Sequence, residues 1–186
     1  LIDHARNAIL PETASAALNA ARKLATEKDL TDLLGIIQFN ENSQIQQDAK
    51  RVIMSLAERS TERSEIATAI KSAYESATND QATVVFLELL GSTGGDTAAG
   101  IVETALGSED KKIRIAALAA LGSWADDTQF DTLLDYMTSE EDDTIRRQAY
   151  AQAFQFLQKD RDRDDLALED MWKALAQEAA TESEKI

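Results

Sequence analysis

The sequence predicts an all-α protein made of stacked helix pairs, and three observations support this prediction. Alanine, the best helix former, supplies 31 of the 186 residues, whereas proline occurs once and glycine seven times. Apolar residues recur with the 3.6-residue period of a helix, for example at Ile45, Ala49, Val52, Ile53 and Leu56. A short pattern of residue types also returns about every 32 positions, which is typical of a repeat protein.

The repeat is clearest where residues 110–117 are compared with residues 142–149. In both segments an aspartate is followed, at the same offsets, by isoleucine, arginine and alanine. Asn79 and Asn42 occupy the aspartate position in two earlier copies, and Leu10 occupies it in the first copy. The chain therefore contains five copies of one unit.

The recurring polar residue has a physical role, because Asn and Asp are preferred N-caps that accept bonds from unpaired N–H groups at a helix start. We expect capped helices to begin after Asn42, Asn79, Asp110 and Asp142. In the first copy, Pro11 suits the first helical position, where its missing N–H costs nothing.

A further helix is expected between successive capped helices. One such helix is predicted from Asp96 to about Leu106, and the next is predicted to begin at Asp127. Gly91 and Gly122 are expected to end the preceding helices in a left-handed C-cap conformation. The unit is therefore helix, turn, helix, turn.

This pattern resembles the short-period repeats of the HEAT repeat family, which occur in phycobilin lyases and in bacterial multidomain scaffolds. The resemblance rests on the segment Leu118–Asp127 and on the Asp–Ile–Arg pattern of residues 142–146, and it is closest over residues 96–157. It implies a right-handed α-α superhelix of about five helix pairs. The first helices would then lie on the convex side, and the capped second helices would line the concave side.

The resemblance also implies a structural ladder of Asp and Arg side chains that links neighbouring repeats. In this sequence the ladder would consist of Asp110, Arg114, Asp142 and Arg146. The earlier copies carry Gln46 and Thr83 at the arginine position, so we expect the ladder to be broken there.

The pattern predicts one repeat domain over residues 1–180. The predicted repeats span residues 1–26, 27–59, 60–92, 93–124 and 125–158, followed by a capping helix at 164–180 and a frayed tail at 181–186. The capping helix is amphipathic, with apolar residues at Leu166, Leu168, Met171, Trp172, Leu175 and Ala179. Residues 1–9 are typical of the end of a helix whose start is missing, so we expect the sequence to be a piece of a longer protein or a mature product.

Composition disfavours several classes of function. The 34 acidic and 19 basic residues give a net charge of −15, which repels the phosphates of nucleic acid. No apolar run approaches the roughly 20 residues that span a bilayer. The chain lacks cysteine, and a catalytic triad or a histidine metal centre would depend on His4 alone. We therefore predict no enzymatic activity, no cofactor and no metal.

Two acidic segments contain several carboxylates, the side chains that bind calcium, and are considered as calcium sites. Residues 160–165 resemble the start of a calcium loop, but the expected glycine is Asp165 and the expected twelfth-position acid is Met171. A solvated turn is the favoured interpretation there. The acids of residues 140–143 are interpreted as a helix cap and first turn.

A candidate partner-binding surface is expected on the last capped helix, at Arg147, Tyr150 and Gln155. Aromatic and arginine residues are enriched in binding hot spots. The repeat position of Tyr150 is occupied elsewhere by Leu18, Lys50, Leu87 and Leu118, so it is not uniformly apolar. Packing of Tyr150 against the C-terminal helix is the alternative. Trp124, whose counterparts are Leu24, Leu56 and Phe156, is expected in the core.

These observations predict a non-catalytic scaffold, or an accessory repeat domain of a larger bacterial protein, which binds a protein or peptide along its concave face. Residues 76–186 carry 23 acids and 10 bases, which would attract a basic partner; the alternative is that these acids only keep the array soluble. Other domains of the same chain are further candidate partners. The runner-up function is that of a phycobilin lyase, with a tetrapyrrole in the groove. The sequence is compatible with the cytoplasm, the periplasm or secretion.

Overall fold

The computed structural model describes residues 1–159 and 164–178, and within them every regular element is a helix. This confirms the predicted all-α fold. The described elements are α1 (Ile2–Arg6), α2 (Pro11–Ala21), a short 3₁₀ helix (Glu27–Asp29), α3 (Leu30–Phe39), α4 (Ser43–Arg59), α5 (Arg63–Glu75), α6 (Asp80–Thr93), α7 (Asp96–Leu106), α8 (Lys111–Gly122), α9 (Phe130–Ser139), α10 (Asp143–Gln158) and α11 (Asp165–Glu178).

The helices stack as an α-solenoid in which spatial order follows chain order. Each odd-numbered helix packs against the even-numbered helix that follows it, from α1 with α2 to α9 with α10. The even helices α2, α4, α6, α8 and α10, called here the second helices, also contact one another in sequence and form one layer. Helix α11 packs against α9 and α10. The predicted solenoid is confirmed; its right-handed sense and the exact repeat boundaries stay predictions.

The N-cap predictions are confirmed at all four positions. The side-chain oxygen of Asn42 accepts from Gln44 N at 2.9 Å, and that of Asn79 accepts from Ala82 N at 2.8 Å. Asp110 and Asp142 act in the same way at the starts of α8 and α10. Each cap satisfies backbone donors that the helix itself leaves unpaired.

Of two predicted helix starts, one is confirmed and one is wrong. Helix α7 runs from Asp96 to Leu106, as expected. Helix α9 begins at Phe130, so the prediction of a start at Asp127 was wrong. The reason is local: Asp126 accepts hydrogen bonds from Thr128 N at 3.0 Å and from its hydroxyl at 2.6 Å, which holds these residues in a turn.

The prediction of left-handed C-caps at Gly91 and Gly122 was also wrong. Helix α6 continues past Gly91, and the residue with positive φ is its C-cap, Gly94, at +67°. A Cβ atom at position 91 would lie 2.1 Å from the carbonyl oxygen of Ala120, and one at position 122 would lie 2.2 Å from Oε1 of Gln152. These two glycines therefore allow consecutive second helices to approach closely.

The apolar positions fill one continuous core between the two layers. Trp124 and Phe156 are buried as expected, and the ring of Phe156 lies 5.5 Å from that of Phe130. Leu24 is 68% exposed, so placing it in the core was wrong. Leu24 follows the end of α2 at Ala21 and lies in the turn that leads to the 3₁₀ helix.

Helix α11 closes the C-terminal end of the array, as its amphipathic pattern predicts. Leu175 is fully buried, and the ring of Trp172 packs edge-on against Phe154 with centroids 5.3 Å apart. Leu166, in the first turn of this helix, is 69% exposed and does not pack as predicted. The predictions for residues 160–163, for Ala179 and for the tail at 181–186 lie outside the described residues.

The side chains of the expected Asp–Arg ladder make several contacts within the described residues, and their role as a ladder stays a prediction. Asp142 pairs with Lys111 of the preceding repeat. The Nε atom of Arg114 lies 3.6 Å from Oε2 of Glu140, between α8 and the turn before α10. Asp110 caps α8, and Arg146 contacts Asp143 at 3.4 Å within its own helix. Neighbouring repeats are thus linked at Arg114 and Asp142.

The arginine position of the repeat has a second role that the sequence did not predict. Arg114 donates from Nη1 to the carbonyl oxygen of Ser108, two residues before the cap, at 2.9 Å. Gln46 donates to the corresponding carbonyl, that of Asn40, at 2.8 Å. Gln46 therefore replaces arginine as the donor to the inter-helix turn, because a carboxamide can satisfy the same buried carbonyl.

A buried hydrogen bond accompanies the contact of Arg114. The hydroxyl of Tyr136 donates to Oε2 of Glu140 at 2.6 Å. Burial, together with this bond and the charge of Glu140, raises the pKa of Tyr136 to about 12. Burial opposes ionisation of Glu140, but the bonds from Tyr136 and from the Asp142 amide and the charge of Arg114 outweigh it and lower its pKa.

The glycine contacts predict opposite effects of alanine in two helices. Gly91→Ala places Cβ against an immovable backbone carbonyl, so we expect it to reduce the free energy of unfolding by about 1–3 kcal/mol. Gly100→Ala, inside α7 with no atom near its Cβ position, is the matched control and should raise it by about 0.5–1 kcal/mol. Urea unfolding followed by circular dichroism measures both. Equal effects of the two substitutions would contradict the close helix approach.

The raised pKa of Tyr136 predicts a loss of stability in alkali. The folded protein holds the phenol proton more tightly than the unfolded chain, whose tyrosines titrate near 10. Stability from this group is complete below pH ~10 and is lost as the pH rises towards about 12. Unfolding measured from pH 8 to 11.5 should therefore show a smaller alkaline decline for Tyr136→Phe than for the wild type. An unchanged decline would show that Tyr136 ionises normally.

Candidate protein interaction surface

The outer surface of the second-helix layer contains a groove that crosses four successive repeats. Its volume is about 250 Å³. The lining residues come from α4, α6 and α8, from α10, and from the residues that directly follow α8 and α10: Lys50, Met54, Glu88, Ala119, Gly122, Ser123, Gln152, Gln155 and Lys159. Because helices so far apart in the chain line a single depression, this surface curves inward at the groove.

Small side chains form the floor of the groove. Ala119, Gly122 and Ser123 line it from the end of α8, at the point where Gly122 lets α10 approach closely. A floor of small residues allows the main chain of a bound segment to come near the helices. The contact that stabilises the solenoid therefore also shapes its groove.

One ion pair spans the groove between α4 and α6. Nζ of Lys50 lies 2.7 Å from Oε2 of Glu88, and the two side chains are only 18% and 25% exposed. At the other end, Lys159 donates to the carbonyl oxygen of Trp124 at 3.5 Å. The lining groups thus carry two positive charges and one negative charge, in a chain whose net charge is −15. The groove is a near-neutral area of a strongly acidic protein.

The predicted surface residues on α10 do not all face the groove. Gln155 is exposed and lines it, and Arg147 is exposed two turns earlier on the same helix, where its Nε donates to Asp143 O at 3.1 Å. Tyr150 is 8% exposed and belongs to the core. The structure therefore brings Gln155 to the groove and leaves Arg147 beside it, and burial keeps the ring of Tyr150 from offering a face to a partner. That these residues bind a partner stays a prediction.

Several other groove residues were not predicted from the sequence. Lys50 and Glu88 are 38 positions apart in the chain, so predicting their ion pair requires the relative positions of α4 and α6. A local signal existed for Lys50, because a lysine occupies a repeat position that is otherwise leucine or tyrosine. Met54 and Gln152 have no such signal.

The described residues offer little for catalysis. His4, on the short helix α1, is exposed. Across residues 1–159 and 164–178, no group of three histidine or carboxylate side chains is arranged to hold a metal ion. In the same part of the chain, no helix combines the length and the apolar character required to cross a bilayer.

Asp48 is the most buried carboxylate of the second helices, at 2% exposure. Burial opposes its ionisation, but polar contact with Ser15 and hydrogen bonds from Arg51 and Gln44 outweigh this and lower its pKa. Asp48 does not line the groove.

Comparison with known proteins agrees with this architecture. The family model for HEAT repeats matches residues 67–155, which include α6 to α9 and most of α10. No curated protein and no solved structure matches the chain. HEAT repeats generally act as scaffolds for protein–protein interaction and are typically non-catalytic. The match assigns residues 67–155 to the HEAT repeat family, and the capped helix pairs and the solenoid order of the described residues agree with this assignment.

Proposed function

We propose that this protein is a non-catalytic interaction scaffold and that its second-helix groove binds a segment of another protein or of the same longer chain. The observation that carries the proposal is the groove itself, to which α4, α6, α8 and α10 all contribute residues. A binding site shared by four repeats is sensitive to their relative positions, which the close helix contacts hold constant.

The chemistry of the groove favours a polypeptide over a charged small molecule. Gln152 and Gln155 can each donate and accept hydrogen bonds, as the main chain of a peptide requires. The methyl and thioether groups of Ala119 and Met54 offer apolar contact beside these amides. Lys50 and Glu88 neutralise each other, so no strong charge selects the residues at the centre.

The groove fits the lyase alternative less well. Its volume of about 250 Å³ lies below the roughly 300–1,000 Å³ of typical small-molecule pockets, and a tetrapyrrole is a large ligand. The rings that such a chromophore would stack on are also absent from the groove lining, which within the described residues contains no aromatic side chain.

A variant that fills the groove tests this proposal. Ala119→Arg places a long side chain across the floor, and Thr104→Arg, on the exposed side of α7, adds the same charge away from the groove. The wild-type chain and both variants are immobilised and exposed to an extract of the source cells. We expect at least one protein to bind the wild type and Thr104→Arg equally, and the amount of it bound to Ala119→Arg to be at least about tenfold lower. Such a loss corresponds to about 1.4 kcal/mol of binding free energy. Quantitative mass spectrometry measures it.

Two outcomes would contradict the proposal. The first is equal retention of every bound protein by the two variants, which would place the interaction on another surface. The second is a shift of visible absorbance when the chain is mixed with a phycobilin, provided that Ala119→Arg abolishes the shift. That result would favour the lyase alternative.

A further inference from the structure

A second candidate surface lies at the other end of the helix pairs, around Phe39. This residue ends α3, and its side chain is 81% exposed. The corresponding positions, three residues before the cap, are small or polar in every other repeat: Asn7, Ser76, Gly107 and Ser139. The fold therefore does not require an aromatic residue at this position.

A pocket of about 390 Å³ adjoins the Phe39 ring. Apart from that ring it is lined by one carboxylate and five carboxamide side chains: Glu41, Gln38, Asn40, Gln46, Asn79 and Gln81. These residues all belong to the described range 1–159, and none of them is a lysine or an arginine. The pocket thus combines an aromatic face with hydrogen-bond acceptors and one negative charge.

Two of the carboxamides have acceptors that the protein itself leaves without donors. Gln46 is 1% exposed, and its Nε2 donates to the carbonyl oxygens of Ile37 at 2.9 Å and Asn40 at 2.8 Å. These bonds determine the orientation of the amide, and its buried Oε1 accepts no bond. The Nε2 of Gln38 donates to Ser76 O at 3.1 Å, and its Oε1 is likewise buried and unpaired.

Both oxygens are buried from solvent, so these two amides form the fixed wall of the pocket and do not contact a ligand. The exposed acceptors of the pocket are those of Glu41 and Gln81. The two other inward carboxamides are already used: Asn40 Oδ1 accepts from Asn42 N, and Asn79 Oδ1 accepts from Ala82 N. The carboxylate of Glu41 and the carboxamide of Gln81 are therefore the acceptors that a ligand can reach.

We infer that this pocket receives an arginine side chain of a partner polypeptide. A guanidinium is planar, stacks on aromatic rings and carries five N–H donors. Against Phe39 it would contribute a cation–π contact, and its donors suit the exposed oxygens of Glu41 and Gln81. Glu41 and the net charge of −15 favour a cation. Lysine has the charge but lacks the planar group.

The other side of Phe39 indicates a polypeptide rather than a free guanidinium compound. There a depression of about 280 Å³ runs along α3, and its lining includes Thr31, Gly35 and Ile36. A Cβ atom at Gly35 would meet nothing within 4 Å. Other repeats place Asp3, Ser72, Glu103 and Asp135 at this position. Arg6 and Asp32 also line this depression and pair with each other at 2.6 Å. A residue next to the bound arginine can therefore place an apolar side chain against Gly35 and Ile36, beside this neutralised ion pair.

A titration with three matched peptides tests the inference. The probes are acetyl-Gly-Ser-Leu-Ala-Arg-Gly-Ser-amide and the same peptide with lysine or uncharged citrulline in place of arginine. They are added to the isotope-labelled chain and followed by NMR, through the side-chain amide signals of Gln38, Gln46 and Gln81 and the ring signals of Phe39. We expect the arginine peptide to shift these signals and to bind at least fivefold more tightly than either control peptide.

Two variants complete the experiment. Phe39→Ser introduces the residue that repeats three and five already carry, so it should leave the melting temperature unchanged. It should lower the affinity for the arginine peptide at least fivefold. Ile9→Ser removes a 96% exposed apolar side chain elsewhere and should change neither. Ala119→Arg should not affect this binding either, which separates the inference from the proposed groove.

The results that would overturn the inference are distinct. Equal binding of the lysine or citrulline peptide would remove the guanidinium specificity. Arginine peptide binding that survives Phe39→Ser would place the peptide elsewhere. Binding of free arginine amide as tightly as the peptide would assign the pocket to a small molecule rather than to a partner chain.

Discussion

The stacking of the second helices depends on how closely α6, α8 and α10 approach one another. At Gly91 and Gly122 the next helix occupies the space that a Cβ atom would need: the main chain of Ala120 lies against Gly91, and the side chain of Gln152 lies against Gly122. Such contacts leave little freedom to slide, because a closely packed interior resists small displacements. Each repeat thereby determines the position of the following one, as expected in a protein whose repeats contact only their neighbours.

The polar groups at the helix ends support this stacking. Asn and Asp caps satisfy the free N–H groups of each second helix, while Gln46 and Arg114 satisfy carbonyls of the preceding turn. Tyr136 and Glu140 extend the same network to the next repeat. The resemblance suggested a regular Asp–Arg ladder, and these bonds meet the same need: no backbone group at the turn should remain buried and unpaired.

The two candidate surfaces arise where the repeat departs from regularity. The groove contains an ion pair between Lys50 and Glu88, at positions that are mostly apolar or small in other repeats. The pocket beside α3 adjoins Phe39, which replaces the small or polar residues of the other copies, and the neighbouring depression includes Gly35, where the other copies have polar residues. Residues shared by all repeats serve the solenoid, whereas residues peculiar to one repeat are available for recognition. The groove is near-neutral and the pocket is acidic, so the two surfaces suit segments of different chemistry.

The sequence by itself determined the helical class, the repeat, the four N-caps and most of the core, because each depends on local spacing or on a cap within three residues of the N–H group that donates to it. It failed at Gly91 and Gly122, where it favoured a local backbone explanation over a contact with a helix about 30 residues away. It failed also at Leu24, which lies in the turn after α2 and is exposed. The pairing of Lys50 with Glu88, the burial of Tyr150 and the unpaired oxygens of Gln38 and Gln46 were decided only by the tertiary structure. All of these depend on distances between helices that are remote in the chain, and a one-dimensional pattern contains no such distances.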